Sequence, residues 1–317
     1  MTELFAGSGV MGAAVRCFDW SKTPLGPVER WPAGLHATVS LALGSTFPMA
    51  IIWGQGHVQV YNEGYRPICG PKHPGSMGQD FRECWASAFP VIGPSYDRAW
   101  AGEASFLEDQ RLFVERKGFL EETCFTFSFS PIRDESGKVA GLFHPVTETT
   151  SRMLAERRTR TLRDLAARGT KARTVDEACE LASQTLAGGN LDLPFVLIYR
   201  ISGDGGALQL AGASGLRAGG AGAPALARLD SKPGEGWPFA EALASTAAIT
   251  VDDLLRRFGE ITCGPYPEPP HSALVLPITV PGVERPLGVL VAGVSPRLPL
   301  DDSYRDFYVL LAAAVGV

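Results

Sequence analysis

The sequence is sparing with cysteine and histidine, and neither is clustered. Cys17, Cys69, Cys84, Cys124, Cys179 and Cys263 lie singly, with no C-x-x-C pair and no H-E-x-x-H nearby, which argues against structural-zinc spacings and a disulfide framework. The five histidines, His36, His57, His73, His144 and His271, include none paired at helical spacing with a carboxylate. A general base needs a positioned partner, so no catalytic or metal-binding residue is assigned. No apolar run reaches the roughly 18 residues of a membrane span, and the first twenty residues lack the basic start and apolar segment of a secretory leader. With 29 Lys+Arg against 34 Asp+Glu, the formal net charge is −5, so no basic excess points to nucleic acid. The glycine-rich runs at 203–206 and 215–222 lack a following Lys-Ser/Thr and read as turns, not phosphate loops. The expectation is a cytoplasmic protein with reduced thiols and neither nucleic acid nor membrane among its partners.

What is present is ordinary globular material: 45% hydrophobic and 20% charged residues over 317 positions, enough for two domains with separate cores. Residues 1–20 are rich in Gly and Ala and read as a loosely docked arm, followed by a Pro-rich lead. Trp31, Leu35, Val39 and Leu43 recur every four residues and predict a helix from about 28 to 43. Residues 49–53 and 57–61, split by Gly54-Gln55-Gly56, predict a hairpin, with Asn62 placed as a helix N-cap. A helical stretch over 79–103, broken by Pro90 and Pro94, precedes strands near 105–115, 119–130 and 138–146. In the second of these strands Thr123, Phe125, Phe127 and Phe129 share one face at period two and belong to a core. The first half therefore reads as a five-stranded antiparallel sheet with helices on one side.

From 147 to 168 the pattern turns to an uninterrupted Arg-rich helix with few apolar positions. It reads either as a solvated connector or as a parallel dimer seam. The second half opens with a helix at 174–187, where Thr174 and Glu177 form a capping box. Strands follow at 195–201, 207–212, 248–252, 273–280 and 287–294, with helices at 237–244 and from 301 onward. Residues 213–236 and 253–270 read as loops. The fold class is α+β: two domains, each an antiparallel sheet with flanking helices, joined by a long helix. The boundaries are 1–27 (arm), 28–146 (first domain), 147–172 (linking helix) and 173–317 (second domain).

The runs P-M-A-I-I-W-G (48–54), V-Y-N-E-G-Y (60–65), G-P-K-H-P (70–74), G-Q-D-F-R-E-C-W (78–85) and G-F-L-E-E-T-C-F-T-F-S-F-S-P-I-R-D-E-S-G-K-V-A-G (118–141) resemble the PAS domain at the front of bacterial multi-sensor histidine kinases. The lead D-W-S-K-T-P-L-G-P-V-E-R-W-P (19–32) is similar to the segment before that domain. D-L-P-F-V-L-I-Y (192–199), A-L-V-L-P-I (273–278) and 286–307 resemble the GAF domain that follows in the same kinases.

The resemblance implies a sensory input module whose output domain follows the GAF domain, and the seam reading of the linking helix makes a homodimer the expected partner state. A histidine kinase in a phosphorelay is the first expectation for that output. A metal-dependent serine/threonine phosphatase, a cyclic-dinucleotide enzyme or a freestanding scaffold are the alternatives. No phosphoacceptor-histidine helix or ATP lid is readable, so the chain itself is expected to be no enzyme. The PAS cup is expected around Trp53, Tyr65, His73 and Phe127. No cofactor motif has sequence support. The Asn-Cys-Arg-Phe-Leu-Gln run of flavin photosensors, the bilin surroundings and the Asn-Lys-Xaa-Phe-Asp-Glu signature of cyclic-nucleotide GAF domains are missing. A haem reading of His73 has against it that Pro74 favours an extended turn there.

Overall fold

The computed structural model describes residue 5 and residues 9–169, 171–189, 191–203, 205–229, 236–245, 247–280, 282–283 and 285–316. Asp204 of the expected hairpin, Thr170 of the expected linking segment, and Val317 lie outside the described residues, as do 1–4 and 6–8 of the expected arm. The chain divides into two units, Met1–Met153 and Leu154–Val317.

In the first unit the expected loose arm is instead helical and packed. Helix α1 (Gly9–Cys17) buries Met11 and Val15, and the indole Nε1 of buried Trp20 donates to the Val15 carbonyl at 2.7 Å. Apolar residues spaced by four through a Gly/Ala-rich segment were enough to dock it. Helix α2 (Ala33–Gly44) starts five residues later than expected. Pro32 restricts Trp31 to extended backbone, so Val28–Arg30 closes only a single 3-10 turn before the helix begins. Strands β1 (Met49–Trp53) and β2 (Val58–Tyr61) then form the hairpin.

Short helices α3 (Arg66–Cys69), α4 (Phe81–Cys84) and α5 (Phe89–Trp100) precede the long strands β3 (Ser105–Glu115), β4 (Leu120–Arg133) and β5 (Val139–Glu148). Asp80 caps α4 by accepting from the Arg82 amide. The five strands form one antiparallel sheet in the order β2-β1-β5-β4-β3. Its two faces are both covered, not one as expected. Register places Ile52 opposite Leu142 and Ala50 opposite His144, on the face that meets Phe81 of α4. Trp53 points the other way, toward α2, where a Cβ added at Gly34 would lie 3.6 Å from its ring. Gly141 lies opposite Trp53 in the register, and a Cβ there would come within 2.6 Å of the Trp53 ring, so only glycine lets the indole lie flat across the strand.

Asn62 does more than cap a turn. Buried completely, its Nδ2 donates to the carbonyls of Ala42, Ser45 and Phe47, and its Oδ1 accepts from the amides of Met49 and Tyr65. One side chain therefore satisfies the C-terminal carbonyl of α2, the approach to β1 and the turn after β2.

Helix α6 (Thr150–Gly169) starts in the first unit and continues into the second. The expected linking helix was longer at both ends, and 147–148 still belong to β5. In the second unit follow α7 (Val175–Leu186), β6 (Val196–Ile201), β7 (Ala207–Ser214), β8 (Leu226–Arg228), α8 (Phe239–Ala244), β9 (Ile249–Val251), α9 (Leu254–Phe258), β10 (Ala273–Ile278), β11 (Gly288–Gly293) and α10 (Asp302–Val315). Strand β8 and helix α9 occupy stretches expected as loops. Thr174 accepts from the Glu177 amide at 3.2 Å as expected, while Glu177 reaches back to the Arg173 amide at 2.8 Å.

The antiparallel sheet runs β8-β7-β6-β11-β10-β9 and is apolar on both faces. Val196, Ile198, Leu274, Leu276, Leu290 and Ala292 form one core with α6, α7 and α10. Leu197, Tyr199, Val275, Val289 and Val291 form another with α8, α9 and the loops around them. A strand buried on both faces reads as a continuous apolar run, which is why A-L-V-L-P-I and L-G-V-L-V-A-G-V stood out.

Candidate functional site

In the first unit the concave face of the sheet and α3, α4 and α5 enclose an aromatic cup. Phe125, Phe127 and Phe129 come from β4, His144 and Val146 from β5, Tyr65 precedes α3, and Phe81 and Trp85 come from α4 and its end. These side chains leave a cavity of about 40 Å³, room for about one water. A ligand the size of a flavin or haem would have to displace some of them.

His144 is stacked on Phe129 with ring centroids 4.4 Å apart and makes edge contacts with Tyr65, Phe81 and Phe127. Burial in this apolar shell pushes its pKa down to about 4, against a smaller opposing effect of the hydrogen bond between Nδ1 and the Ser128 carbonyl at 2.9 Å. The imidazole is therefore neutral at pH 7. A carbonyl accepts only, so the proton sits on Nδ1 and Nε2 is left as an acceptor.

Beside the cup lies a closed polar chain. Trp85 Nε1 donates to Gln59 Oε1 at 3.2 Å, Gln59 Nε2 donates to the Ser76 carbonyl at 2.8 Å, and the Tyr61 hydroxyl joins Ser76 Oγ at 2.8 Å and His73 Nδ1 at 2.9 Å. Burial raises the thiol of adjacent Cys69 to about 12, which keeps it protonated and unreactive.

Of the four residues expected around the cup, Tyr65 and Phe127 line the cavity together. His73 reaches the Tyr61 hydroxyl instead, and Trp53 packs on the opposite face against α2. His144, the polar group most central to the cup, was not singled out. Its signal was a histidine two residues from Leu142 and from Val146 on an inward-facing strand.

The second concentration of buried charge is in the second unit, at Asp192. Its carboxylate, 2% exposed, accepts from Arg157 Nε at 2.6 Å, Arg157 Nη2 at 3.1 Å and Arg158 Nε at 3.2 Å. Arg158 is itself buried, with its guanidinium 4.0 Å from the centroid of the Tyr304 ring of α10. The Tyr304 hydroxyl donates to the Asp192 backbone carbonyl, and the Tyr308 hydroxyl donates to the Gly293 carbonyl at 2.7 Å. One residue thus ties α6 through its side chain and α10 through its backbone. Two arginines expected on a solvated face are the anchors. Their neighbours Leu154, Leu162 and Leu165 pack in the same core.

The start of α6 is held just as firmly, within the first unit. Buried Arg116 pairs with Glu121 at 2.9 Å and with Glu148 at 2.6 Å. Arg152 pairs with Asp109 at 2.5 Å, and the Thr149 amide donates to the Cys124 carbonyl at 2.8 Å.

The face of the second sheet away from α6 is plugged by rings. Trp237 lies 4.4 Å from Phe258 and 6.1 Å from Phe195, and Tyr199 lies 4.7 Å from Phe239, centroid to centroid. Among the described residues no group of three or more His, Cys, Asp or Glu could hold a metal ion. None of the described helices is long and apolar enough to cross a membrane.

These features define a mixed α+β protein with antiparallel sheets flanked by helices. Residues 170–317 match the family model of the GAF domain, and this stretch is a GAF domain, a sensory module common in signalling proteins. Similar solved structures include the GAF domain of a phosphoenolpyruvate-protein phosphotransferase from Coxiella burnetii, at 20% identity over 51% of this chain and 92% of that one, with a TM-score of 0.38. A free methionine-R-sulfoxide reductase from Neisseria meningitidis, solved with its substrate, is similar at 20% identity over 50% of this chain and 86% of that one, with a TM-score of 0.36. The chromophore-binding domain of a Stigmatella aurantiaca bacteriophytochrome is similar at 11% identity over 85% of this chain and 92% of that one, with a TM-score of 0.32. No curated protein matches the sequence.

Proposed function

We propose that residues 1–317 are the sensory input region of a cytoplasmic signalling protein, in which a PAS-like domain precedes the GAF domain and a histidine kinase supplies the output. The chain carries no catalysis of its own in this reading. The PAS-like part rests on the sequence resemblance and on a five-stranded antiparallel sheet that closes an aromatic cup against short helices.

The observation that carries the reading is the joint at Asp192. Helix α6 is bolted at its start to β3, β4 and β5 and, two turns further on, to Asp192, which also holds α10. A displacement of α6 has to move charges buried at Asp192, so α10 responds to it. Repacking of the cup shifts α6, and α10 passes the change to the output. The chain works as a homodimer, with α6 and the exposed Val309 and Leu310 of α10 at its seam.

A chimera tests this, with residues 1–317 fused in helical register to the dimerisation and catalytic domains of a histidine kinase. Substituting Arg158 by Ala is expected to change basal autophosphorylation several-fold with the fold intact. Unchanged activity across Arg157, Arg158 and Asp192 variants, all folded, would remove the coupling role. A strictly monomeric chain by sedimentation would remove the dimer.

A further inference from the structure

The helices that cover one face of the GAF sheet do not meet along their whole length. Between the first turns of α7 and the last turn of α10 the floor of the sheet is open, and a cavity of about 490 Å³ lies there. It falls within the roughly 300–1,000 Å³ of small-molecule sites. Ala178 and Cys179 form one wall, and Ile198, Ile278 and Leu287 form the floor and the far side. Gly288 lies in the floor, where a Cβ would strike the Tyr199 carbonyl, so this position contributes no side chain to the space.

Among the described residues, Arg200 is the one charged residue in this lining. Its Nη1 lies 3.1 Å from Asp176 Oδ1, with the two side chains 40% and 70% exposed. An exposed pair of this kind holds weakly, and it leaves most of the guanidinium fork without a partner among the described residues. Apolar walls reject a polar ligand, which would lose its hydrogen bonds to water. A planar fork at the rim favours an anionic head group over an uncharged one, and a singly charged planar carboxylate matches the one guanidinium with two parallel hydrogen bonds.

We propose that this cavity binds a small apolar monocarboxylate, with its hydrocarbon body between α7 and α10 and its carboxylate on Arg200. The site is on the α7 and α10 face of the sheet, opposite the ring-plugged face around Trp237, and it stands independently of the signalling reading because binding is measured on the chain alone.

Isothermal titration calorimetry of the full chain with octanoate, and with n-octanol as the uncharged control, decides it. The wild type is expected to bind one octanoate with a negative heat-capacity change. Arg200→Gln is expected to weaken octanoate about tenfold and leave n-octanol unchanged, the loss of one charge-assisted contact. Asp176→Asn frees the guanidinium and tightens octanoate. Ala178→Phe fills the cavity and abolishes both. Arg200→Gln and Asp176→Asn sit at exposed positions and settle the matter if Ala178→Phe does not fold. Absence of octanoate heat in the folded wild type, or equal octanoate affinity in wild type and Arg200→Gln, overturns the proposal.

Discussion

Arg158 and Asp192, 6% and 2% exposed, meet at 3.2 Å in the second unit, and neither has water to fall back on. Their partnership is completed by Arg157 on the carboxylate and by the Tyr304 ring under the guanidinium. A buried pair is kept at a desolvation cost and does not by itself make a domain more stable than apolar packing would. What it does impose is position: α6 and α10 can occupy only arrangements that keep these charges matched.

Removing one partner should therefore be costly. Asp192→Ala leaves a buried guanidinium unpaired and is expected to destabilise the GAF unit by about 3–5 kcal/mol in urea unfolding. Arg157→Ala, at a half-buried position, is expected to cost about 1 kcal/mol. A loss under about 0.5 kcal/mol for Asp192→Ala would contradict the assignment.

Asn62 is expected to tolerate neither truncation nor charge. Asn62→Ala removes the side-chain partners of the Ser45 and Phe47 carbonyls and the Met49 amide, while the Ala42 carbonyl and Tyr65 amide keep backbone partners, and should cost on the order of 3–5 kcal/mol. Asn62→Asp keeps the shape but sets an oxygen against the carbonyls of Ala42, Ser45 and Phe47, where an N–H now donates. It should be at least as damaging at pH 7. A melting temperature of Asn62→Asp close to wild type would show that these contacts matter little.

His144 gives the first unit a defined acid response. Its folded pKa, about 4, lies below the ordinary value of 6.5, so between those values the unfolded chain binds more protons than the folded one. Stability rises with pH across that window, and the histidine's contribution is lost progressively as pH falls from 6.5 to 4, about 3 kcal/mol in all. Urea midpoints at pH 4.5 and 7.5 should differ less in His144→Gln than in wild type. Equal differences would place the titration elsewhere.

Phe127 fills the cup instead of lining an open one. Phe127→Ala is expected to cost about 3–5 kcal/mol, with part of the loss recovered by an apolar filler such as indole in the new space. Indole binding by wild type as strong as by the variant would show that the cup opens on its own.

Much of the fold was legible because periodicity reports burial. The alternating Phe125, Phe127 and Phe129, the doubly buried strands β10 and β11, and the Thr174 cap were all readable from residues close in sequence. The roles of Arg157 and Arg158 were not, since a basic helix face looks the same whether solvated or docked, and their partner Asp192 lies more than thirty residues away. Trp53 was misplaced for a related reason. Its strand is buried on both faces, so alternation cannot say which side holds the cup, and the sequence of α2, which decides it, does not name the strand that it covers. The docking of α1 was hidden by small residues that carry little hydrophobic signal yet allow close approach.

The central claim is that α6 and α10 respond together through Asp192. Hydrogen–deuterium exchange of the full chain, comparing wild type with Arg158→Ala, tests it most directly, because the substitution lies in α6 and leaves the sequence of α10 untouched. Exchange is expected to accelerate in residues 302–312 of α10 as well as around Arg158. Acceleration confined to α6, with α10 protected as in wild type, would contradict it.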